Sequence, residues 1–117
     1  GKTQTVGLIA GVTTPGQQVF RPEHARLLAA AMRAAVTGGT GKALKDLPIP
    51  VAGKTGTAEL SAKPSHAWFA GFAPYDSSAR KRIAFAVIVE NGRYGGRVAA
   101  PLAGEIINAA ARQKLIE

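Results

Sequence analysis

The run VAGKTGTAEL at residues 51–60 gathers side chains that could do chemistry: Lys54, Thr55 and Thr57, with Gly56 between the threonines. Its β-branched, Gly-punctuated pattern predicts a strand. On a strand, Thr55 and Thr57 point to one side and Lys54 to the other. Gly56 lets another backbone come close. An ammonium and two hydroxyls converging on an open strand edge make a carboxylate receptor. The unpaired backbone of that edge could also hold an extended peptide by strand addition. The same residues equally fit a β-branched strand with a Gly bulge and no ligand.

Other arrangements carry less. Gly-Lys-Thr occurs at Gly1 and at Gly53, but a phosphate loop needs a further glycine five residues before the Gly-Lys pair. Pro48 holds that position for Gly53, and nothing precedes Gly1. A Ser-x-x-Lys spacing, Ser78 to Lys81, would set an amine one helical turn from a hydroxyl. It lies in a polar connection, DSSARKR, crowded by Arg80 and Arg82, with no helix expected there. His24 and His66 are far apart and lack carboxylates at ligand spacing, so no metal site is expected. His24 falls on an exposed helix turn, and His66 opens a strand beside Trp68.

The elements that must position Lys54 and the threonines follow from periodicity. Residues 5–13, TVGLIAGVT, read as a strand, with a turn at Thr14-Pro15-Gly16. Residues 22–36 read as a helix, with Pro22 at its first position and Glu23 in its first turn. Leu28, Met32 and Ala35 share one face, Arg26 and Arg33 a solvated one, and Thr37-Gly38-Gly39 ends it. Residues 51–60, 66–73 and 83–90 form three strands joined by connections short enough for hairpins. The last, IAFAVIVE, is apolar almost throughout, which predicts burial on both faces. Residues 101–115 form a closing helix on Leu102, Ile106 and Ala109 or Ala110. The fold class is α+β: an antiparallel meander plus one strand near Thr5–Thr13, packed with two helices.

The 117 residues suit one small domain or a piece of a larger one, with 46% hydrophobic but only 6% aromatic residues. No cysteine is present, which excludes disulfides and thiol nucleophiles. No stretch reaches bilayer-spanning length and no signal peptide is visible. Fifteen Lys and Arg against seven Asp and Glu give a net charge of +8. The excess is scattered, and the densest cluster, Arg80-Lys81-Arg82, has no interleaved aromatic, so a solvated surface is expected instead of nucleic-acid binding.

Lys54-Thr55-Gly56, followed by Thr57-Ala58-Glu59, resembles the third active-site motif of the penicillin-binding proteins. The similarity runs further. MRAAVTGGTG at residues 32–41 resembles the helix end and turn upstream of that motif. HAWFAGFAP at 66–74, IAFAVIVENG at 83–92 and residues 99–111 resemble the strands and helix that follow. The resemblance covers nearly the whole chain from Phe20 and is closest to class B, monofunctional D,D-transpeptidases, with a β-lactamase/transpeptidase-like fold present in part.

That resemblance implies a serine acyl-enzyme mechanism on D-alanyl-D-alanine stem peptides, with β-lactams as substrate mimics and no cofactor. It assigns Lys54 a positive charge and proton-relay contact, and Thr55 and Thr57 the substrate carboxylate. It makes the Thr57 N–H an oxyanion donor, while Gly56 keeps the strand close to the acyl group. It also implies a site outside the cytoplasmic membrane, reached through an upstream anchor absent here. Residues 1–117 are expected to be the carboxy-terminal part of one transpeptidase domain. The family's Ser-x-x-Lys and Ser-x-Asn motifs are missing upstream of Lys54, and no serine precedes Ser61. The nucleophile is therefore expected outside this chain, which partners with the missing amino-terminal part of the domain and is inactive alone. A serine β-lactamase or penicillin-sensing domain of the same fold fits the motif too. A non-catalytic basic binding module remains the alternative of another class.

Overall fold

The structure, a computed structural model, describes residues 2–3, 17–76 and 78–117. Two short strands, β1 (Lys2–Thr3) and β2 (Gln17–Gln18), pair antiparallel, with Lys2 opposite Gln18. The strand expected at residues 5–13 and its turn lie outside the described residues. Helix α1 (Pro22–Thr37) follows, then a 3-10 turn (Lys42–Leu44). Strands β3 (Ala52–Leu60), β4 (Lys63–Ala73) and β5 (Ile83–Val89) form an antiparallel meander in the order β3-β4-β5. Helix α2 (Ala99–Arg112) closes the chain. The expected α+β arrangement is present.

Strand register fixes which side chains share a face. Thr55 pairs with Phe69 and Phe69 with Val87; Gly56 pairs with Trp68 and Trp68 with Ile88. One face thus presents Thr55, Thr57, Ala67, Phe69, Phe85 and Val87, and the other Lys54, Trp68, Ala70, Ala86 and Ile88. The first face is the core. Ala67, Phe69 and Val87 are buried with Ala99, Ala100, Ala103, Ile107 and Ala110 of α2, and with Leu44 of the 3-10 turn. Phe69 stacks on Phe85, their ring centroids 6.0 Å apart. Fully burying a side chain such as Ile107 contributes about 1.5–3 kcal/mol, so this layer carries the stability of the described fold.

Four expectations change here. β5 is not buried on both faces: Ala84, Ala86 and Ile88 are exposed, because no described element covers the far side of the meander. Helix α1 buries only Val36, and Leu28, expected on its core face, is 50% exposed, with Leu27 at 72%. Arg33 is not solvated. Its guanidinium donates to the Val51 carbonyl at 2.7 Å and lies over the Tyr75 ring, tying α1 to the start of β3. A fourth change is in α2, whose buried face carries Ala103, Ile107 and Ala110, while Leu102 and Ile106, expected on that face, are 45% and 43% exposed. The other differences are at element ends. β4 starts at Lys63, three residues before His66, and α2 starts at Ala99, two before Pro101. α1 stops at Thr37 without a left-handed glycine, as the Gly38 N–H, at φ −131°, caps Ala34.

Candidate active site: the cleft along strand β3

β3 is an edge strand of the meander, and its free edge can be identified from side-chain donors. The Lys54 ammonium donates to the Thr55 carbonyl at 2.7 Å, and Arg33 reaches the Val51 carbonyl. Both carbonyls therefore face away from β4. An antiparallel strand alternates its peptide groups, so the Thr57 N–H turns the same way, to the open edge.

The Thr55 and Thr57 side chains open onto a cleft of about 790 Å³ on the core face of β3. Its far wall is the loop Tyr94-Gly95-Gly96-Arg97, and its floor includes Thr40 and Lys42. Close packing sets this loop in place. A Cβ on Gly95 would fall on the carbonyl oxygens of Gly56 and Trp68, so only glycine lets the loop lie on the β3–β4 ladder. The glycine that permits this approach is Gly95, whereas a Cβ on Gly56 would meet the Trp68 side chain on the other face. Thr55 is 9% exposed and its hydroxyl hydrogen-bonds the Thr40 hydroxyl. That bond orients Thr55, while Thr57 is exposed and unengaged in the cleft.

Charge in the cleft is one-sided. Lys42, Lys45 and Arg97 line it together with Thr40, Thr55 and Thr57, and no lining residue is acidic. Lys45 leans on Asp46 at 3.9 Å, and Arg97 stacks over the Tyr94 ring. Two cations beside three hydroxyls, with a buried wall behind them, form a receptor for a carboxylate.

The expected convergence of ammonium and hydroxyls is only half realised. Thr55 and Thr57 share the cleft, but Lys54 sits on the opposite face with its amine folded onto the Thr55 carbonyl. The cleft cations come from Lys42 and Arg97, which sequence reading had left in the scattered surface excess. Sequence separation hid them: about a dozen residues part Lys42 from Lys54 and over forty part Arg97 from it. The double glycine at Gly95-Gly96 after a strand was the available signal.

The other candidate residues do not line this cleft. Ser78 sits in a turn where its N–H and hydroxyl both donate to Asp76, at 2.8 and 2.9 Å. Those two bonds, the N–H first, and then the Arg82 charge hold the Asp76 carboxyl below the usual range. Lys81 is turned to Glu117 at 3.6 Å, not to Ser78. His24 is exposed on α1. His66 accepts the Asn91 N–H through Nδ1 at 3.0 Å, and so fastens the turn after β5.

Meander, backing helix and a Lys-Thr-Gly motif on the edge strand together define a transpeptidase-like fold. The chain belongs to the penicillin binding protein transpeptidase domain family, whose pattern matches residues 1–108. It is 37% identical over 84 residues to the peptidoglycan D,D-transpeptidase MrdA of Acinetobacter baumannii, covering 59% of this chain and 12% of that protein. It is 41% identical over 71 residues to the peptidoglycan D,D-transpeptidase PbpA of Mycobacterium tuberculosis, covering 53% of this chain and 14% of PbpA. Among solved structures, the ceftriaxone acyl-enzyme complex of penicillin-binding protein A from M. tuberculosis matches with a TM-score of 0.64 and 36% identity. That match covers 85% of this chain and 24% of the other. The D,D-transpeptidase domain of a peptidoglycan glycosyltransferase from Eggerthella lenta matches with a TM-score of 0.59 and 32% identity. It covers 74% of this chain and 20% of the other. The chain thus spans 12–14% of the length of these curated relatives.

Proposed function

We propose that residues 1–117 form the carboxylate-holding wall of a peptidoglycan D,D-transpeptidase active site and contribute the carboxy-terminal part of that domain. The observation that carries the reading is the cleft in which Thr40, Thr55 and Thr57 meet Lys42 and Arg97 with no acidic residue among them.

In this reading the terminal carboxylate of a D-alanyl-D-alanine stem peptide, or the carboxylate of a β-lactam, lies between the Thr55 and Thr57 hydroxyls. Thr40 orients the first hydroxyl, and Lys42 and Arg97 supply long-range positive charge. The peptide runs along the free edge of β3, where strand addition holds its backbone. The reacting carbonyl then meets the Thr57 N–H, one donor of the oxyanion hole. Losing one such donor costs about 3 kcal/mol of transition-state stabilisation. A serine from outside these residues attacks the carbonyl and expels the last D-alanine, and an amine of a neighbouring peptide resolves the acyl-enzyme. Lys54, whose amine rests at the same edge on the Thr55 carbonyl, stands where an incoming nucleophile-bearing element would meet it. There it relays a proton and stabilises negative charge. Gly56 keeps β3 close to the acyl group. The site works outside the cytoplasmic membrane, where its substrate lies.

The test is covalent labelling of the full-length gene product with a fluorescent penicillin, followed by peptide mapping. The label is expected on a serine outside residues 1–117, with none on this chain expressed alone. A label on Ser61, Ser65, Ser77 or Ser78 would overturn the reading. Rapid hydrolytic release of the label would move the assignment to a β-lactamase of the same fold.

A further inference from the structure

We propose that His66 is a positioning residue for this reaction: with Nδ1 unprotonated it holds the far wall of the cleft in place, and on protonation it lets that wall go. The inference rests on reading the cleft as the seat of a ligand carboxylate. His66 does not line the cleft. It alternates with the buried Ala67 and Phe69, so β4 turns it to the side away from the core, with Trp68. It acts through the turn that leads from β5 into the cleft wall.

The Asn91 N–H donates to His66 Nδ1 at 3.0 Å. A backbone N–H only donates, so this bond exists only while Nδ1 carries a lone pair. An imidazolium presents an N–H at both nitrogens, and two donors then face each other. Histidine is the side chain whose charge ordinarily changes between about pH 5 and 8. The charged groups around this imidazole come from three elements. Glu90 follows β5 and continues its register to the place opposite His66. Lys54 lies on the same face of β3, four residues from Ala58, the partner of His66. Glu59, next to Ala58, shares the cleft side with Lys63 and Arg93.

The turn depends on that bond. Asn91 and Arg93 have φ of 55° and 65°, in the left-handed region that non-glycine residues seldom adopt. Such backbone persists only where its surroundings over-determine it. Here β4 supplies two ties, the Arg93 N–H to the Ser65 carbonyl at 2.8 Å and the Asn91 N–H to His66. Protonation of His66 removes one of them. Three residues on from Asn91 stands Tyr94, the first residue of the cleft wall. The wall's other end has anchors of its own: Gly95 lies on the β3–β4 ladder, and its carbonyl accepts the Ala100 N–H at 2.8 Å. The change therefore falls on Tyr94. Its ring supports the Arg97 guanidinium, 5.7 Å from the ring centroid, so moving Tyr94 displaces a cleft cation.

The experiment measures penicillin acylation of the full-length protein from about pH 8 down to about pH 5.5 in wild type, His66→Asn and His66→Ala, the range over which histidine titrates. The melting temperature confirms folded proteins, and hydrogen exchange of residues 89–97 is read at each pH. The ligand carboxylate stays ionised throughout. The carboxamide oxygen of His66→Asn stands close to where Nδ1 does and accepts the Asn91 N–H at every pH. Wild type should match His66→Asn near pH 8 and fall about fivefold below it in acid, the scale of one hydrogen bond, with exchange protection lost in step. His66→Ala should behave at both ends of the range as wild type does in acid. A protonated His66 adds positive charge, which by itself favours a carboxylate, so weaker capture reports the lost bond and not the charge. Normal acylation with the same pH profile in wild type and His66→Asn overturns this inference alone, whether or not exchange differs. A His66→Ala protein as fast as wild type near pH 8 overturns it too. A wild type that penicillin does not acylate at any pH overturns the reading of the cleft, and this inference with it.

Discussion

The cleft beside β3 and the turn between β4 and β5 are both built from hydroxyls and basic side chains, and they spend them in opposite ways. In the turn, Ser78 is consumed by Asp76, Arg82 donates to the Asp76 carbonyl, and Lys81 reaches Glu117 and the Lys114 carbonyl. Each of these three groups has a local partner, and Lys81 ties the turn to the carboxy-terminal residues. In the cleft, the Thr57 and Lys42 side chains have no such partner among the described residues, and no acidic residue is among those described as lining it. The turn holds the better spacing for a serine nucleophile, and the cleft holds the better chemistry. A motif is available to a ligand only where its groups are left unsatisfied by their own neighbours.

Four outcomes would break or sharpen that contrast. The largest effect belongs to Lys54→Ala in the full-length protein, which should slow penicillin acylation by about 10²–10⁴-fold, the range for loss of a proton-transfer group. Stopped-flow labelling measures it, and an unchanged rate would remove Lys54 from the reaction. Next is Gly95→Ala, which forces a methyl onto the β3–β4 ladder. It should destabilise the fold by about 1–3 kcal/mol in urea melts, with the cleft loop displaced. Lys42→Gln should then weaken penicillin capture severalfold while leaving the urea midpoint in place, because an exposed cleft cation supports no fold contact. If the midpoint moved and capture did not, Lys42 would belong with the spent charges of the turn.

The smallest effect is Ser78→Ala. Acylation should be unchanged and stability altered by less than about 0.5 kcal/mol, as for an exposed surface change. Its signature is in acid instead. The Asp76 carboxyl is depressed in the fold, so its contribution is present above the unfolded carboxylate range and is lost as pH falls through the lower folded value. Wild type should lose that increment in acid titrations of stability, and Ser78→Ala should lose slightly less, because the hydroxyl bond to Asp76 is removed while the larger cause, the backbone N–H bond, stays. Equal acid sensitivity of the two proteins would show that the Ser78 hydroxyl adds nothing to the backbone N–H in holding Asp76.

Much of this was legible in the sequence because it is local. The Lys54-Thr55-Gly56 motif, both helices and the three strands of the meander all announce themselves within windows of ten residues or so. Strand alternation alone separated Lys54 from Thr55 and Thr57. What stayed hidden needs two distant segments at once. Arg33 read as solvated because the Val51 carbonyl that it serves is eighteen residues away. β5 read as doubly buried because an apolar run does not say which of its faces will find a partner. The cationic side of the cleft required the 3-10 turn at Lys42 and the loop at Arg97 to close on one strand, a meeting set by the close approach of Gly95 to the β3–β4 ladder and of Gly96 to the Thr40 carbonyl.

The far face of the meander leaves Trp68 38% exposed, opposite Gly56 in the strand register. It is the single tryptophan in the sequence. Its emission is therefore a built-in optical reporter placed one strand away from Thr57. In this chain alone the indole meets water and should fluoresce toward the red. Any element that comes to rest on that face should shift the emission to the blue. Assembly around β3 can thus be followed in a cuvette, without a label and without waiting for catalysis.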